Sequence, residues 1–298
     1  MNYTLHQLQI FLNVVQAGSI TKAAEGLYMT QPAVSIQLKN LQSQFDTPLT
    51  EVVGKKLYIT EFGQEIARIS ERVIHEANAI NYKTHAYQGV LTGKLKLSSA
   101  STGKYVIPYF LSGFLEKHTG IDLVLDVTNK TAVTESLKRN ETDFAVVSIL
   151  PDDIDVAQEI LIENKLFLVG NNAIKQQNKP LIYREKGSAT RMAMEKYFMT
   201  AKGHHRKRIE LTSNEAVKQA VIAGLGYSIM PLIGIQNELQ KRELHIIPSK
   251  KLPITTEWRL IWLKSKKLSP VAAAFLDFLR TEKKGILKKS FKWYSKYR

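Results

Sequence analysis

The sequence predicts an α/β protein in which a small helical region with a basic hairpin precedes a larger region of alternating strands and helices. Three observations lead to this prediction. Apolar residues recur at helical spacing through residues 5–41, one long apolar stripe occupies residues 60–88, and strand-like and helix-like segments alternate from Gly89 onward. Strands that are separated by helices indicate a mostly parallel sheet.

Length and composition are typical of a globular protein with several domains. The 298 residues leave room for two or three domains, with 44% hydrophobic and 23% charged residues. The absence of cysteine excludes disulfides, Cys-ligated zinc, iron–sulfur clusters and thiol catalysis. No apolar run has the length of a membrane span, and the N-terminus lacks the features of a signal peptide. We therefore expect a cytoplasmic protein with no membrane partner.

The charge is distributed unevenly along the chain. The net charge of +15 indicates a polyanionic partner, but seven basic and seven acidic residues cancel in residues 1–89. The surplus lies further on, most obviously in the C-terminal segment KKGILKKSFKWYSKYR. Its basic and aromatic residues could contact DNA phosphates or a membrane surface, and the simpler prediction is a frayed, solvated extension.

Three helices are predicted at the start of the chain. Gly18 ends the first helix, and Ser19 caps a short second helix. Thr30 is the expected N-cap of the third helix, and Pro32 falls in its first turn, where the missing N–H costs little. The buried face of the first helix is expected to contain Leu5, Leu8, Phe11, Leu12 and Val15.

The third helix has two different faces. Val34, Leu38 and Leu41 are spaced for burial, and short or polar side chains project from the N-terminal half of the opposite face. Such side chains can reach base edges in the major groove, so this face is predicted to recognise DNA, with an ordinary surface helix as the alternative. The side chains on this face are Gln31, Pro32, Ser35 and Lys39.

The segment PLTEVVGKKLYIT predicts a hairpin with a Gly-Lys-Lys turn. A basic hairpin beside a recognition helix is a wing, in which Lys55 and Lys56 would contact phosphates or the minor groove. Three helices and this hairpin make a winged helix-turn-helix.

A long helix follows the hairpin, with Thr60 as its expected cap. Its apolar stripe is narrow and has charged flanks, which suits pairing with a second copy of the helix. Packing on the protein's own body is the alternative. The stripe consists of Phe62, Ile66, Ile69, Val73, Ala77, Ile80 and Tyr87.

Polar side chains follow the ends of three predicted strands in the second region. Ligands of α/β sheets bind outside the carboxyl ends of the strands, so these loops are expected to converge on a crevice. The residues concerned are Ser101, Thr102, Asn129, Thr131 and Ser148.

A Gly-Ser-x-Thr-Arg segment starts a later helix of the same region. Hydroxyls and free N–H groups at a helix N-terminus form an anion site, here with Ser188 and Thr190, although a simple helix cap has the same sequence. Arg191, or Arg184 at the end of the preceding strand, could complete a clamp on a carboxylate or phosphate.

The segment AGSITKAAEGLYMTQPAVSIQLKNLQ, the Gly-Lys-Lys hairpin and the following YITEFGQE resemble the LysR-type transcriptional regulators. Two positions depart from the family's pattern. Ile36 stands where most members have arginine, and residues 49–52 read Leu-Thr-Glu-Val in place of the usual Leu-Phe-Glu-Arg. The resemblance implies base contacts at Gln31, Pro32, Ser35 and Ile36, and the full predicted DNA-binding set adds Thr30, Lys39, Lys55 and Lys56.

The resemblance also implies a two-lobed, periplasmic-binding-protein-like effector domain. A small anionic metabolite is expected between its lobes, near Thr102, Asn129, Ser148 and Ser188. The implied partners are double-stranded promoter DNA, this effector and further copies of the chain in a homodimer or homotetramer. RNA polymerase is a further candidate partner, and no cofactor or metal is implied. The expected domains are 1–59 for DNA binding, 60–89 for the linker helix and 90–298 for the effector domain, with lobe I at about 90–163 and 266–298 and lobe II at about 164–265.

Two other classes of function are open to the sequence. An enzyme is disfavoured because there is no Gly-x-Ser-x-Gly elbow, no phosphate loop and no metal-ligand spacing among the seven histidines. A solute-binding protein of a transport system would explain a two-lobed body, but it would not explain the helix-turn-helix at the start of the chain.

Overall fold

The computed structural model describes residues 2–54, 56–87, 91–173, 179–200 and 207–297. Among these residues, no helix is both long and apolar enough to span a membrane. The chain divides into two compact units, Met1–Gly89 and Val90–Arg298, each with its own hydrophobic core. The first unit contains α1 (Leu5–Ala17), α2 (Ile20–Gly26), α3 (Gln31–Gln42), β1 (Thr50–Val53), β2 (Lys56–Ile59) and α4 (Glu61–Tyr87).

The helices of the first unit begin and end close to where the sequence predicts. Thr4 and Gln7 form a reciprocal capping box at the start of α1, and Gly18 ends this helix with a left-handed φ of 59°. The Ser19 side chain caps α2. Thr30 precedes α3 as expected, but its side chain makes no capping hydrogen bond.

One core joins the three helices to the hairpin. Phe11, Val14 and Leu41 are fully buried, and Leu49 brings the start of the hairpin into the same cluster. Leu5 is 49% exposed, contrary to the prediction, because the buried side of α1 lies elsewhere on the helix. That side consists of Leu8, Ile10, Phe11 and Val14.

The start of α4 is packed tightly against the hairpin. The Thr60 hydroxyl accepts a hydrogen bond from the Gly63 N–H at 2.9 Å and donates one to the Pro48 carbonyl at 2.6 Å. A Cβ at Gly63 would lie 2.0 Å from the carbonyl oxygen of Leu49, so only glycine fits this position. The direction in which α4 leaves the hairpin is therefore set by backbone contact.

The apolar stripe of α4 has two parts. Phe62 and Ile66 pack on the core of the first unit, whereas Ile69 and Val73 are 46% and 40% exposed. The side chain of Tyr87 lies outside the described residues. Packing on the protein's own core thus accounts for the first turns of the stripe only.

The second unit is an α/β body. Its helices are α5 (Ile107–Lys117), α6 (Lys130–Lys138), α7 (Ala189–Thr200), α8 (Asn214–Ile222), α9 (Gln236–Gln240) and α10 (Pro270–Ser290). Its strands are β3 (Thr92–Ala100), β4 (Gly120–Thr128), β5 (Phe144–Val147), β6 (Val156–Gly170), β7 (Leu181–Arg184), β8 (Arg208–Leu211), β9 (Ser228–Pro231), β10 (His245–Ile246) and β11 (Ile254–Leu263).

The large sheet of this unit is mixed. Its order is β10-β6-β11-β5-β3-β4, and β9 also pairs with β6. β3 is parallel to β4 and β5, and β7 and β8 form a separate parallel pair. All pairings of β6 and β11 are antiparallel, so the prediction of a mostly parallel sheet is wrong for this part.

Two long strands connect the two halves of the second unit. β6 pairs with β11 along most of its length, with a shift of register between Trp258 and Arg259. β11 also pairs with β5, and the far end of β6 pairs with β9 and β10. We call β3–β5 with α5, α6 and α10 the first half, and β7–β9 with α7 and α8 the second half.

The C-terminal segment is folded. After α10, which ends at Ser290, a short 3-10 turn occupies Lys292–Lys296. Phe291 and Tyr294 are buried, and the Tyr294 hydroxyl accepts a hydrogen bond from the Lys165 N–H at 2.7 Å. The prediction of a frayed extension is therefore wrong, because the aromatic residues of this segment pack on the core of the second unit.

Candidate functional site

The predicted recognition face of α3 is turned to solvent. Gln31, Pro32 and Lys39 are exposed, Ser35 is half-buried, and the preceding Thr30 is exposed. The opposite face is buried in the first unit and consists of Val34, Leu38 and Leu41. The helix α3 is thus anchored by its buried face and presents the opposite face to solvent.

Ile36 gives this face an apolar patch. Its side chain is 58% exposed, at the position where the resemblance to the LysR-type regulators implies an arginine. An isoleucine can contact the methyl group of thymine, but it cannot bind a phosphate or the acceptors of guanine. The helix therefore has less electrostatic attraction for DNA than the family pattern would supply.

The wing places a second basic side chain in solvent. β1 and β2 pair antiparallel with Val53 opposite Lys56, and Lys56 is exposed. Lys55, predicted to act with it, lies outside the described residues. Val52 and Val53 are 67% and 61% exposed, so the hairpin also carries an apolar edge.

Ser101 connects the two halves of the second unit. It follows the carboxyl end of β3, and its Oγ accepts hydrogen bonds from Arg184 Nη1 at 3.1 Å and from Asn214 Nδ2 at 3.0 Å. Both donors belong to the second half, at the end of β7 and the start of α8. A hydroxyl oxygen can accept two hydrogen bonds and still donate its proton, so the Ser101 hydroxyl remains available as a donor to a ligand.

Arg184 is a buried cation with one nearby counter-ion. Its side chain is 4% exposed, and Nε and Nη2 bind the two carboxylate oxygens of Glu185, each at 2.7 Å. This bidentate pair neutralises the guanidinium while leaving Nη1 directed at Ser101. Arg184 thus lies where a clamp for an anion would need it.

Arg191 is engaged elsewhere. Its guanidinium binds Glu195 at 2.8 Å, Glu210 at 2.5 Å and the Arg184 carbonyl at 2.9 Å. The hydrogen bond to Glu210 is the main reason that the pKa of Arg191 is raised above its usual value. Of the two arginines considered from the sequence, Arg184 is therefore the better placed for a ligand.

The loop before α7 lies against the start of α6. A Cβ at Gly187 would be 2.8 Å from Thr131 Oγ1 and 3.5 Å from Asn129 Oδ1, and Gly187 has a φ of +86°. Asn129 caps α6 by accepting a hydrogen bond from the Ala132 N–H at 3.0 Å. The adjacent Ser188 is buried, and Thr190 is half-buried. These contacts bring four predicted effector residues together: Asn129, Thr131, Ser188 and Thr190.

Thr102 and Ser148 are buried at the predicted strand ends, 6% and 7% exposed. Ser148 faces an open depression of about 530 Å³ between the loop after β5 and the strand β11. The other residues that line this depression are Ile149, Leu150, Asp152, Thr255, Thr256, Glu257 and Arg259. No hydrogen bond joins Ser148 to Ser101 among the described residues, and Ser101 does not line this depression, so the predicted set divides between two places.

Asn214 also contacts Ser101, although the sequence analysis does not single it out. It is 6% exposed and donates to Ser101. The signal was present in the segment ELTSN, where polar residues follow the end of β8 just as they follow β3, β4 and β5. Ser213 beside it caps α8.

Two family models match this chain. The one described as "Bacterial regulatory helix-turn-helix protein, lysR family" covers residues 5–64, and "LysR substrate binding domain" covers residues 88–284. The first includes the α3 face and the wing, and the second includes all residues around Ser101.

Known proteins align with nearly the whole chain. The HTH-type transcriptional activator CmpR of Synechocystis sp. is 36% identical over 289 residues, covering 93% of this chain and 95% of its own. The RuBisCO operon transcriptional regulator of Allochromatium vinosum is 34% identical over 293 residues, covering 95% and 97%. The solved structure of the Synechocystis PCC6803 CcmR regulatory domain in complex with 2-PG is 34% identical with a TM-score of 0.60, covering 65% of this chain and 98% of that one.

We predict that Lys56→Ala and Gln31→Ala affect DNA binding differently. Loss of a phosphate contact at Lys56 should weaken binding to operator and unrelated duplexes alike, and should reduce the slope of log K against log salt concentration by about 0.9. Loss of a base contact at Gln31 should cost about 1–3 kcal/mol at the operator only. Fluorescence anisotropy with both duplexes at several salt concentrations measures this. A sequence-specific loss for Lys56→Ala would contradict its assignment.

We predict opposite effects for two glycine-to-alanine changes in the second unit. Gly187→Ala should lower the free energy of unfolding by about 1–3 kcal/mol, since the residue has a left-handed φ and an added Cβ would lie only 2.8 Å from Thr131 Oγ1. Gly285→Ala is the matched control in α10, where an added Cβ meets no atom within 4 Å. It should raise stability by about 0.5–1 kcal/mol. Urea unfolding measures both, and a stable Gly187→Ala would show that the loop does not press on α6.

Proposed function

The chain belongs to the LysR family of DNA-binding transcriptional regulators, and we propose that it senses a small anionic metabolite in the crevice around Ser101. The observation that carries this proposal is the junction of Ser101 with Arg184 and Asn214, a set of polar contacts between the two halves. A ligand that binds both halves at this point would change how firmly they are held together.

The preference for an anion has two physical sources. One is the buried guanidinium of Arg184, which can exchange part of its pairing with Glu185 for a ligand carboxylate or phosphate. The other is the start of three helices, α6, α7 and α8, whose first residues lie beside Asn129, Ser188 and Asn214. Helix N-termini offer free N–H groups and favour negative charge.

The relatives guide the choice of the first ligand to test. The regulatory domain of Synechocystis CcmR, 34% identical to this chain, has been solved with 2-PG. We therefore propose 2-PG as the probe for this crevice. The proposed effector residues around Ser101 are Ser101, Thr102, Asn129, Thr131, Arg184, Ser188, Thr190 and Arg191, with Asn214 added and Arg191 in a supporting role through its bond to the Arg184 carbonyl. Ser148 remains a proposed effector residue at the separate depression beside β11.

On the DNA side, we propose that α3 lies in the major groove and that the wing contacts the backbone. The support is the exposed face of α3 above its buried stripe. Base contacts would come from Gln31, Pro32, Ser35 and Ile36, and other contacts from Thr30, Lys39, Lys55 and Lys56. The protein would act in the cytoplasm, where promoter DNA and RNA polymerase, a candidate partner, are found.

We further propose that the chain acts as a homodimer or homotetramer. Ile69 and Val73 of α4 expose apolar surface in a helix of 27 residues, which suits pairing with the same helix of a second copy. Two copies place two recognition helices in successive major grooves of a partly palindromic site. An effector that favours one arrangement of the halves then shifts the population of DNA-bound states.

The LysR family and the relatives found are transcriptional regulators and not enzymes. A solute-binding role for the second unit alone would leave the N-terminal unit without a purpose. A footprint of the full-length protein on the intergenic region next to its own gene tests the regulator assignment, and a blank footprint with and without 2-PG would oppose it.

We predict that Ser188→Trp abolishes effector binding. The indole would fill the space between α7 and the start of α6, and affinity for 2-PG should fall by at least about tenfold, or 1.4 kcal/mol. Isothermal titration calorimetry measures this. Met192→Trp is the control, because Met192 lies in the first turn of α7, four positions after Ser188, and is 46% exposed. Equal binding by wild type and Ser188→Trp would show that the ligand binds elsewhere, and no binding by wild type would exclude 2-PG.

A further inference from the structure

The C-terminal segment concentrates positive charge on one folded element. Residues 283–298 contain seven Lys or Arg and no Asp or Glu, in a chain whose first 89 residues have no net charge. We propose that the lysines of this segment form a second DNA-contacting surface, which binds phosphates of the duplex that the winged helix-turn-helix reads. This inference rests on the DNA-binding role proposed above and extends it to the second unit.

The lysines of this segment project outward. Lys284 and Lys288 are one turn apart on α10, Lys289 follows, and Lys292 and Lys296 lie on the terminal turn. All five are exposed, and none has a carboxylate partner among the described residues. The neighbouring Lys283 differs, since it is paired with Glu159 together with Arg280. The outward array is therefore free to bind an external anion.

The aromatic residues of the segment lie on the opposite side, against the core of the second unit. Phe291 packs on Tyr109 and Phe110, with ring centroids 5.0 and 6.2 Å apart, and Tyr294 is 4% exposed. A segment that binds a membrane surface presents its aromatic residues to the lipid and places them on the outer face. Trp293 and Tyr297 are half-buried against the same core, so the outer face consists mainly of lysines, which favours a polyanion such as the DNA backbone over a lipid surface.

The array is held in place by contacts with the strand β6. The Lys165 N–H donates to the Tyr294 hydroxyl at 2.7 Å, and Lys165 Nζ donates to the Tyr297 carbonyl at 2.9 Å. These bonds tie the end of the chain to the centre of the second unit. A pre-ordered set of cations loses less conformational freedom on binding than a flexible tail with the same charge.

The first unit has no net charge, so basic side chains in another part of the chain would add to its attraction for DNA. Seven acids balance seven bases in residues 1–89, and the exposed Ile36 adds no charge to the recognition face. Release of counterions by basic side chains supplies most of the non-specific affinity for DNA. A regulator whose first unit is neutral gains non-specific affinity for DNA if basic residues elsewhere in the chain contact the same duplex.

The test is a charge reversal in the full-length protein, K284E/K288E/K289E/K292E, with a long duplex of mixed sequence as the probe. We expect affinity at physiological salt to fall by at least about tenfold, and the slope of log K against log salt concentration to decrease by about 0.9 for each lost contact. The matched control, R139E/K196E/K241E/K250E, makes the same change of net charge at four exposed and scattered positions of the second unit. It should keep a slope close to that of wild type.

The outcomes separate the possible explanations. Equal losses of DNA affinity in the charge-reversal variant and the control would mean that only net charge matters. An unchanged slope of log K against log salt concentration in K284E/K288E/K289E/K292E would exclude DNA contact by this segment. Either result overturns the proposal. Unchanged DNA binding with lost transcription would assign the surface to a protein partner instead, which also overturns it. If wild type binds no duplex, the regulator assignment itself fails. If the Glu variant melts early, K284Q/K288Q/K289Q/K292Q should still reduce the slope.

Discussion

One hydroxyl group forms a buried polar contact between the two halves of the second unit. Ser101 Oγ accepts from Arg184 and Asn214, so the ends of β3 and β7 and the start of α8 are held at one point. The donors are 4% and 6% exposed, which makes these bonds costly to break unless another acceptor replaces Ser101. An anionic ligand is such an acceptor. The same contacts that hold the halves together thus provide the chemistry that would recognise an effector.

The strands β6 and β11 make this junction sensitive to a ligand. They are the elements that continue from one half into the other, and their register shifts between Trp258 and Arg259, close to the middle of β11. A β-bulge bends a strand locally and interrupts its ladder of hydrogen bonds, so this is the point at which β11 departs from regular pairing. The C-terminal segment adds a constraint, because Tyr294 binds the Lys165 N–H at the point where β9 ceases to pair with β6.

The sequence predicted the first unit better than the second unit. Helical spacing, the Pro32 start and the Gly18 stop are local signals, and they located α1–α3 and the wing. The sequence did not predict the first residues of β6 or the antiparallel direction of this strand. In this part of β6, which pairs with β11, Glu159 and Glu163 interrupt the apolar pattern that a buried strand would show. The pairing of Ser101 with Asn214, 113 positions apart, is not visible in any local pattern. The exposure of the tail lysines was foreseeable, but the burial of Phe291 and Tyr294 depended on tertiary contacts.

The comparison of Ser101→Ala with Ser98→Ala tests the junction most directly. Ser98 lies in β3 and Ser101 directly follows this strand, but Ser98 Oγ is buried without a hydrogen-bond partner among the described residues. We expect Ser101→Ala to lower the free energy of unfolding in urea by about 1–3 kcal/mol, because two buried donors lose their acceptor, and Ser98→Ala to be neutral or stabilising. Equal effects of the two substitutions would mean that Ser101 does not hold the halves together, and would remove the basis for placing the effector there.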